Sequence, residues 1–144
     1  VSDNNFLGYS NKVHDGFLGH SYVGEWVNIG AGTNNSNLKN NYSTVKVRIE
    51  DQIYKTNLQF LGSLIGDYTR IAIGTNLNTG TFIGIGSNIF EHKFTDNYIA
   101  SFSWGKNNKV EFEKFITTLS KMKKRREKNI SLSEKKILEK IYYE

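Results

Sequence analysis

The chain has 144 residues and a mass of 16.5 kDa, the size of one domain with room for a small appendage. It contains no cysteine, which excludes a disulfide framework and is compatible with a reducing compartment. The formal charge of +5 comes mostly from the C-terminal tail, and no apolar run approaches the roughly 20 residues needed to cross a bilayer. No signal peptide is visible. A cytoplasmic address without a membrane partner is expected, and a start at Val1, already close to the first repeat, reads as a piece of a longer protein.

Residues 1–33 are expected to form the first coils of a repeat. Leu7, Val13, Leu18, Val23 and Ile29 follow one another at steps of six, five, five and six. Gly8, Gly19, Gly24 and Gly30 come directly after four of them, and Val27 and Thr33 hold a small-residue position. The two short steps predict a distorted coil around His14 to Tyr22, and an irregular coil in a regular repeat is where function is sought first. Residues 34–64 break the period. Thr44 to Ile49 alternates as an edge strand, with Ile53-Tyr54 and the stretch from Leu58 to Leu61 as partners. A loop or hairpin therefore leaves the repeat and returns at Ile65. Long excursions from a rigid scaffold commonly carry binding residues. The plainer reading is an edge cover against sheet-to-sheet association.

From Ile65 to Phe90 the repeat is regular. Ile65, Ile71, Leu77, Ile83 and Ile89 recur every sixth position, and Thr69, Thr75, Thr81 and Ser87 stand four residues after the first four. Gly66, Ala72 and Gly84 directly follow an aliphatic. A period of six fits neither an α-helix nor an alternating strand. It fits a parallel β-helix, with one hexad per face and three hexads per coil. Residues 91–106 leave the pattern, and Phe94, Tyr98, Phe102 and Trp104 are predicted to cap the open end of the prism. A helix is predicted over Val110–Arg126, with Phe112, Phe115, Ile116, Leu119 and Met122 on one face. Ser131 and Glu134 read as the capping box of a second helix, with Ile137, Leu138, Ile141 and Tyr142 as its buried stripe. The expected fold is mainly β: a parallel β-helix of hexapeptide repeats over 1–106, with a hairpin inserted at 34–64 and an end cap at 91–106, then a C-terminal helical hairpin at 107–144.

Lys121, Lys123, Lys124, Arg125 and Arg126 crowd the end of the first helix, where the helix dipole favours cations. A solvated helix end is the ordinary reading. A nucleic-acid partner is not expected, because the run lacks interleaved aromatics and any nucleic-acid module. An anionic cofactor, such as the phosphates of coenzyme A, is the intermediate reading. Gly30-Ala31-Gly32 and Gly84-Ile85-Gly86 are not dinucleotide fingerprints, since they fall at hexad corners with no strand-then-helix unit. The three histidines are His14, His20 and His92. Parallel β-helix carbonic anhydrases resemble this architecture and hold zinc with three histidines, but His14 and His20 sit in an irregular coil and His92 lies beyond the repeats. No metal is expected, and His20 and His92 read as surface or packed histidines.

The run from His14 to Gly19, then Val23 to Thr33, closely resembles a known family. So do Thr33 to Tyr42 (TNNSNLKNNY), Leu77 to Thr81 (LNTGT) and Ser101 to Gly105 (SFSWG). The chain resembles, from about Val1 to Gly105, the acetyltransferase domain of the bifunctional glucosamine-1-phosphate acetyltransferase / N-acetylglucosamine-1-phosphate uridyltransferase family, and most of all its branch of sugar nucleotidyltransferases. The resemblance implies a left-handed coil, a homotrimer, acetyl-CoA as cosubstrate, an amino-sugar 1-phosphate as substrate and a role in nucleotide-sugar (UDP-GlcNAc) synthesis. It also implies a nucleotidyltransferase domain before this one. Carried over, His14 falls on the catalytic base, Asn28 on an asparagine of the transfer site, Ala31 on an alanine whose backbone approaches acetyl-CoA, and Asn37 on a sugar-contacting asparagine. The sequence departs from the family at Phe17, where a substrate-contacting tyrosine is expected, at Ser2, where a phosphate-binding lysine is expected, and at Leu38 in place of a tyrosine. Tyr42, Lys46 and Lys55 are candidates for the family's loop contacts by proximity.

The chemistry implied is simple. An amine near neutral pH is mostly protonated, and a neutral imidazole can take its proton as the nitrogen attacks a thioester carbonyl. Corner N–H groups can stabilise the oxyanion. Two other readings remain: a non-catalytic trimerisation or regulatory domain for the preceding nucleotidyltransferase, and an acyltransferase for another amine or hydroxyl.

Overall fold

The computed structural model describes residues 1–91 and 94–144, so His92 lies outside the described residues. The chain opens with β1 (Asn5–Phe6), β2 (Tyr22–Val23), β3 (Asn28–Ile29) and β4 (Asn34–Asn35). A hairpin of β5 (Lys46–Ile49) and β6 (Gln52–Lys55) follows. Next come β7 (Leu64–Ile65), β8 (Arg70–Ile71), β9 (Asn76–Leu77), β10 (Phe82–Ile83) and β11 (Asn88–Ile89). The chain closes with β12 (Tyr98–Ile99), β13 (Ser103–Trp104), β14 (Asn108–Lys109), α1 (Phe112–Lys124) and α2 (Leu132–Tyr143).

The short strands stack in three ladders. One runs β1-β2-β7-β10-β12 and is parallel throughout. The second runs β14-β13-β11-β8-β3, antiparallel only at β13–β14. The third is β4-β9, continued by a bridge from Asn76 to Phe94. Leu64 pairs with Phe82 and Arg70 with Asn88, three hexads on in each case. The fold is therefore mainly β, with many short parallel strands and two C-terminal helices, an arrangement compatible with a parallel β-helix.

In β2 to β4 and β7 to β11 the second residue turns inward. Leu18, Val23, Ile29, Ile65, Ile71, Leu77, Ile83 and Ile89 form one buried cluster. The hydroxyl residues beside them are buried too, and each satisfies itself on a backbone carbonyl: Thr69 on Gly84, Thr75 on Ala72, Thr81 on Asn78 and Ser87 on Gly84. Corners of successive coils pass so closely that a Cβ on Gly66 would strike the backbone of Gly84 and Ile85.

The first coil departs from the expected register. Leu7 and Val13 are 39% and 73% exposed, and Phe6 is the residue packed against the core. The cause is a single lost residue: Phe6 pairs with Val23 and Asn11 with Asn28, a coil one residue short of three hexads. Only the step from Leu18 to Val23 is five long between core residues; Val13 stands outside that row.

The end cap also differs. Phe102 alone of the four expected aromatics is buried; Phe94 and Trp104 are exposed and Tyr98 stacks on Phe82 at 6.0 Å. Phe102 joins Val110, Phe112, Phe115, Leu119 and Leu138 in a second apolar cluster, so the helices rather than loop aromatics close this region. In α2, Leu138 is buried and Tyr142 packs alongside, whereas Ile137 and Ile141 are exposed. Ser131 Oγ accepts from the Glu134 N–H at 3.1 Å, but the Glu134 carboxylate reaches Lys123 Nζ and the Tyr68 hydroxyl instead of closing a capping box. Thus Lys123, from the basic run, is buried in an ion pair and not solvated. The inserted hairpin is anchored by buried Val45 and Val47, and the Val45 N–H donates to the Leu58 carbonyl. No helix among the described residues is long and apolar enough to cross a membrane.

Candidate functional site

The turn that carries His14 is built by the short first coil. Lys12 Nζ donates to the carbonyls of His14 at 3.3 Å and Asp15 at 2.7 Å. Burial pulls the Lys12 ammonium below its usual pKa, opposed by the charge of Asp15. Gly32 N–H donates to the Asp15 carbonyl at 3.0 Å. Gly16 has φ of +110°, and a Cβ there would run into the Thr33 carbonyl, so only glycine fits. Phe17 N–H donates to Asn34 Oδ1 at 2.8 Å, and the Phe17 carbonyl accepts from the Asn35 N–H. The backbone of this turn is thus fixed while the His14 side chain is exposed, with no hydrogen-bond partner among the described residues. Asp15 does not hold the ring.

Beside the turn lies a groove of about 660 Å³ between the outward face of β3 and β8 and the end of α1. Val13, the neighbour of His14, lines it with Tyr9, Asn11, Trp26, Val27, Asn28, Arg70, Met122, Arg125 and Arg126. Asn28 and Arg70 are register partners on adjacent strands. Tyr9 and Trp26 stack at 4.2 Å, and Lys123 Nζ lies 5.3 Å from the Trp26 ring. Arg70 Nε is buried without a partner among the described residues, and burial lowers the guanidinium pKa.

Asn37 belongs to a second group. Its Nδ2 lies 3.0 Å from His20 Nδ1, and its carbonyl accepts from the Leu61 N–H. His20 stacks on Phe60 at 5.3 Å and stands 3.9 Å from Asp3 Oδ2. A Cβ on Gly19 would meet both the Phe17 ring and the Asn37 amide, so these two candidates converge on one glycine. Ala31 is half-buried in a turn; its carbonyl accepts from the Gly74 N–H at 2.8 Å, and its own N–H finds no acceptor among the described residues.

The remaining candidates are elsewhere. Tyr42 is exposed, with φ of +58°, and its carbonyl accepts from Gln59 Nε2. Lys46 and Lys55 face each other across the hairpin. Lys46 lines a different cavity with Arg48, Asn78 and Asp96, not the groove of Asn28. Sequence reasoning passes over His20, which the structure joins to Asn37, and Arg70. The signal for Arg70 is an arginine in the outward slot before Ile71, where Asn28, Asn76 and Asn88 stand in the equivalent strands.

No family model matches the chain. Over 77 residues it is 32% identical to the "Bifunctional sugar-1-phosphate nucleotidylyltransferase/acetyltransferase" of Sulfurisphaera tokodaii. The matched segment covers 54% of this chain and 19% of that protein.

Proposed function

We propose that the chain is an acetyl-CoA-dependent N-acetyltransferase domain acting on an amino-sugar 1-phosphate, with His14 as general base. The observation that carries the reading is the likeness to a relative whose name joins a sugar-1-phosphate to acetyl transfer. The placement of His14 supports it: an exposed imidazole on a braced turn, adjoining a groove that holds Asn28. The left-handed coil, the division into a 1–106 β-helix and a 107–144 appendage, and a preceding nucleotidyltransferase domain belong to the same proposal.

The residues fit the donor. The Ala31 N–H is free to meet an acceptor on a bound acyl donor. Acetyl-CoA supplies the thioester carbonyl. His14 takes a proton from the amine as the amine nitrogen attacks that carbonyl, and the adduct collapses to the amide with release of the coenzyme A thiol. The Asn28 amide in the groove and the Ala31 N–H on the following turn orient the partners, and proximity lowers the barrier. Phe17 and Asn37, gathered at Gly19, form the sugar side. Among the described residues the His14 ring has no orienting partner, which fits a site completed by a neighbouring subunit in a cyclic homotrimer. Tyr42, Lys46 and Lys55 then contact substrate only across that interface.

The test is thiol release from acetyl-CoA with glucosamine 1-phosphate, alongside sedimentation. Release above background by a trimer supports the proposal. A monomer at micromolar concentration, or no release with any amino-sugar phosphate, sinks it. The second reading, a non-catalytic trimerisation domain, is favoured by one observation: Ser2 Oγ bonds Asp3 Oδ2 at 2.6 Å, which puts a carboxylate where the family resemblance expects a phosphate-binding lysine.

A further inference from the structure

We propose that the groove between β3, β8 and the end of α1 is a binding site for a small-molecule phosphate ester, with Arg70, Arg125 and Arg126 as its cationic contacts. Arg70, Arg125 and Arg126 line one cavity of about 660 Å³, with no carboxylate residue beside them among the described residues, although Arg70 also borders a second cavity that Glu111 and Glu113 line. None of the three takes part in an ion pair among the described residues. Lys123, another cation of the run, is already matched by Glu134.

The dipole of α1 accounts for Arg125 and Arg126, which sit at its C-terminal end. It does not account for Arg70. That residue comes from β8 rather than from the helix, and no ion pair among the described residues offsets its charge. An arginine that lines a groove without a counter-charge can take one from an anionic ligand. Arginines that line one groove from a strand and from a helix end suit a tetrahedral dianion, which can accept paired N–H donors from each. The volume is that of a small-molecule site. The stacked Tyr9 and Trp26 supply an apolar wall beside the cations, suited to the organic part of an ester rather than to a free inorganic ion. Two sources share this chemistry, a sugar 1-phosphate and the phosphates of coenzyme A. The inference stands on the groove and needs no transfer reaction.

The test is calorimetric titration of the full chain with three probes: inorganic pyrophosphate, glucosamine 1-phosphate and coenzyme A. At least one ester should bind more tightly than pyrophosphate, and which one does so identifies the source. Arg70→Gln should weaken that ester about ten- to a hundredfold, the loss typical of a charged hydrogen bond. Lys136→Gln, the same charge change on the exposed outer side of α2, should leave binding unaltered. If Arg70→Gln fails to fold by its circular dichroism, the exposed pair Arg125→Gln/Arg126→Gln takes its place in the same titration, with the same weakening expected. Binding by neither ester, or equal weakening by Lys136→Gln, overturns the site. Arg70-dependent binding without acetyl transfer keeps the site and removes the proposed activity; transfer with binding indifferent to all three arginines does the reverse.

Discussion

The coils from Leu64 to Ile89 and the coil before Tyr22 are made from the same repeat, yet they behave differently. In the later coils every expected aliphatic is inward and every hydroxyl beside it is bonded to a carbonyl. In the first coil one residue is missing and two expected core residues are outside. Asp3, Tyr9 and His20 hold left-handed backbone conformations there without being glycine, against Tyr68 alone in the later coils. Such conformations cost of order 1–3 kcal/mol each and persist where the surroundings over-determine them. The regular coils therefore provide the stability, and the irregular one displays side chains: the His14 turn, the Tyr9–Trp26 wall and the His20–Asn37 contact all lie on or against it.

That contrast can be broken by substitution. The largest effect is expected at Ile83, wholly buried in the regular coils: Ile83→Ala should cost about 2–5 kcal/mol in a denaturant melt, and Ile71→Ala a similar amount. A silent change at either position would mean that the inward register is misplaced. Next comes the tie between the helices and the coils. Lys123→Met leaves Glu134 half-buried without its cation and should cost about 1–3 kcal/mol. Burial tends to raise the Glu134 pKa, but its hydrogen bonds to Lys123 and Tyr68 outweigh that and hold it below the ordinary value of 4.5. A depressed carboxylate stabilises the fold above its unfolded pKa, so the melting temperature should fall as pH drops below 4.5, and this acid loss should shrink in Lys123→Met. An acid slope identical in both proteins would exclude the pair as its source. The smallest effect is expected in the first coil, where Leu7→Ala and Val13→Ala should each stay within about 0.5 kcal/mol. A cost comparable to Ile83→Ala would erase the distinction between the two regions.

The later coils are legible in the sequence because burial on every sixth residue leaves a period that nothing else imposes. The hairpin is legible from the alternation of Lys46 to Ile49, since one face of that strand, Val47, is buried and the other is not. The first coil misleads because Leu7 and Val13 imitate the spacing that Phe6 actually begins. In α2, Ile137 and Ile141 read as core by their type. The helix docks instead through Leu138 and Tyr142, whose hydroxyl donates to the Val110 carbonyl at 2.8 Å. The His14 turn stands out through its neighbours in the chain. Arg70 does not, because the outward slot of a hexad carries no periodic demand, and its meeting with Asn28 and with the end of α1 is made only by folding.

The central claim is most directly tested by comparing the rate of acetyl transfer to glucosamine 1-phosphate between the wild-type chain and His14→Ala. A base contributes about 10²–10⁴-fold, so the variant should lose that factor while its melting temperature and its affinity for coenzyme A stay at wild-type values. Equal rates of thiol release above background in the two proteins would contradict the assignment of His14 as the base.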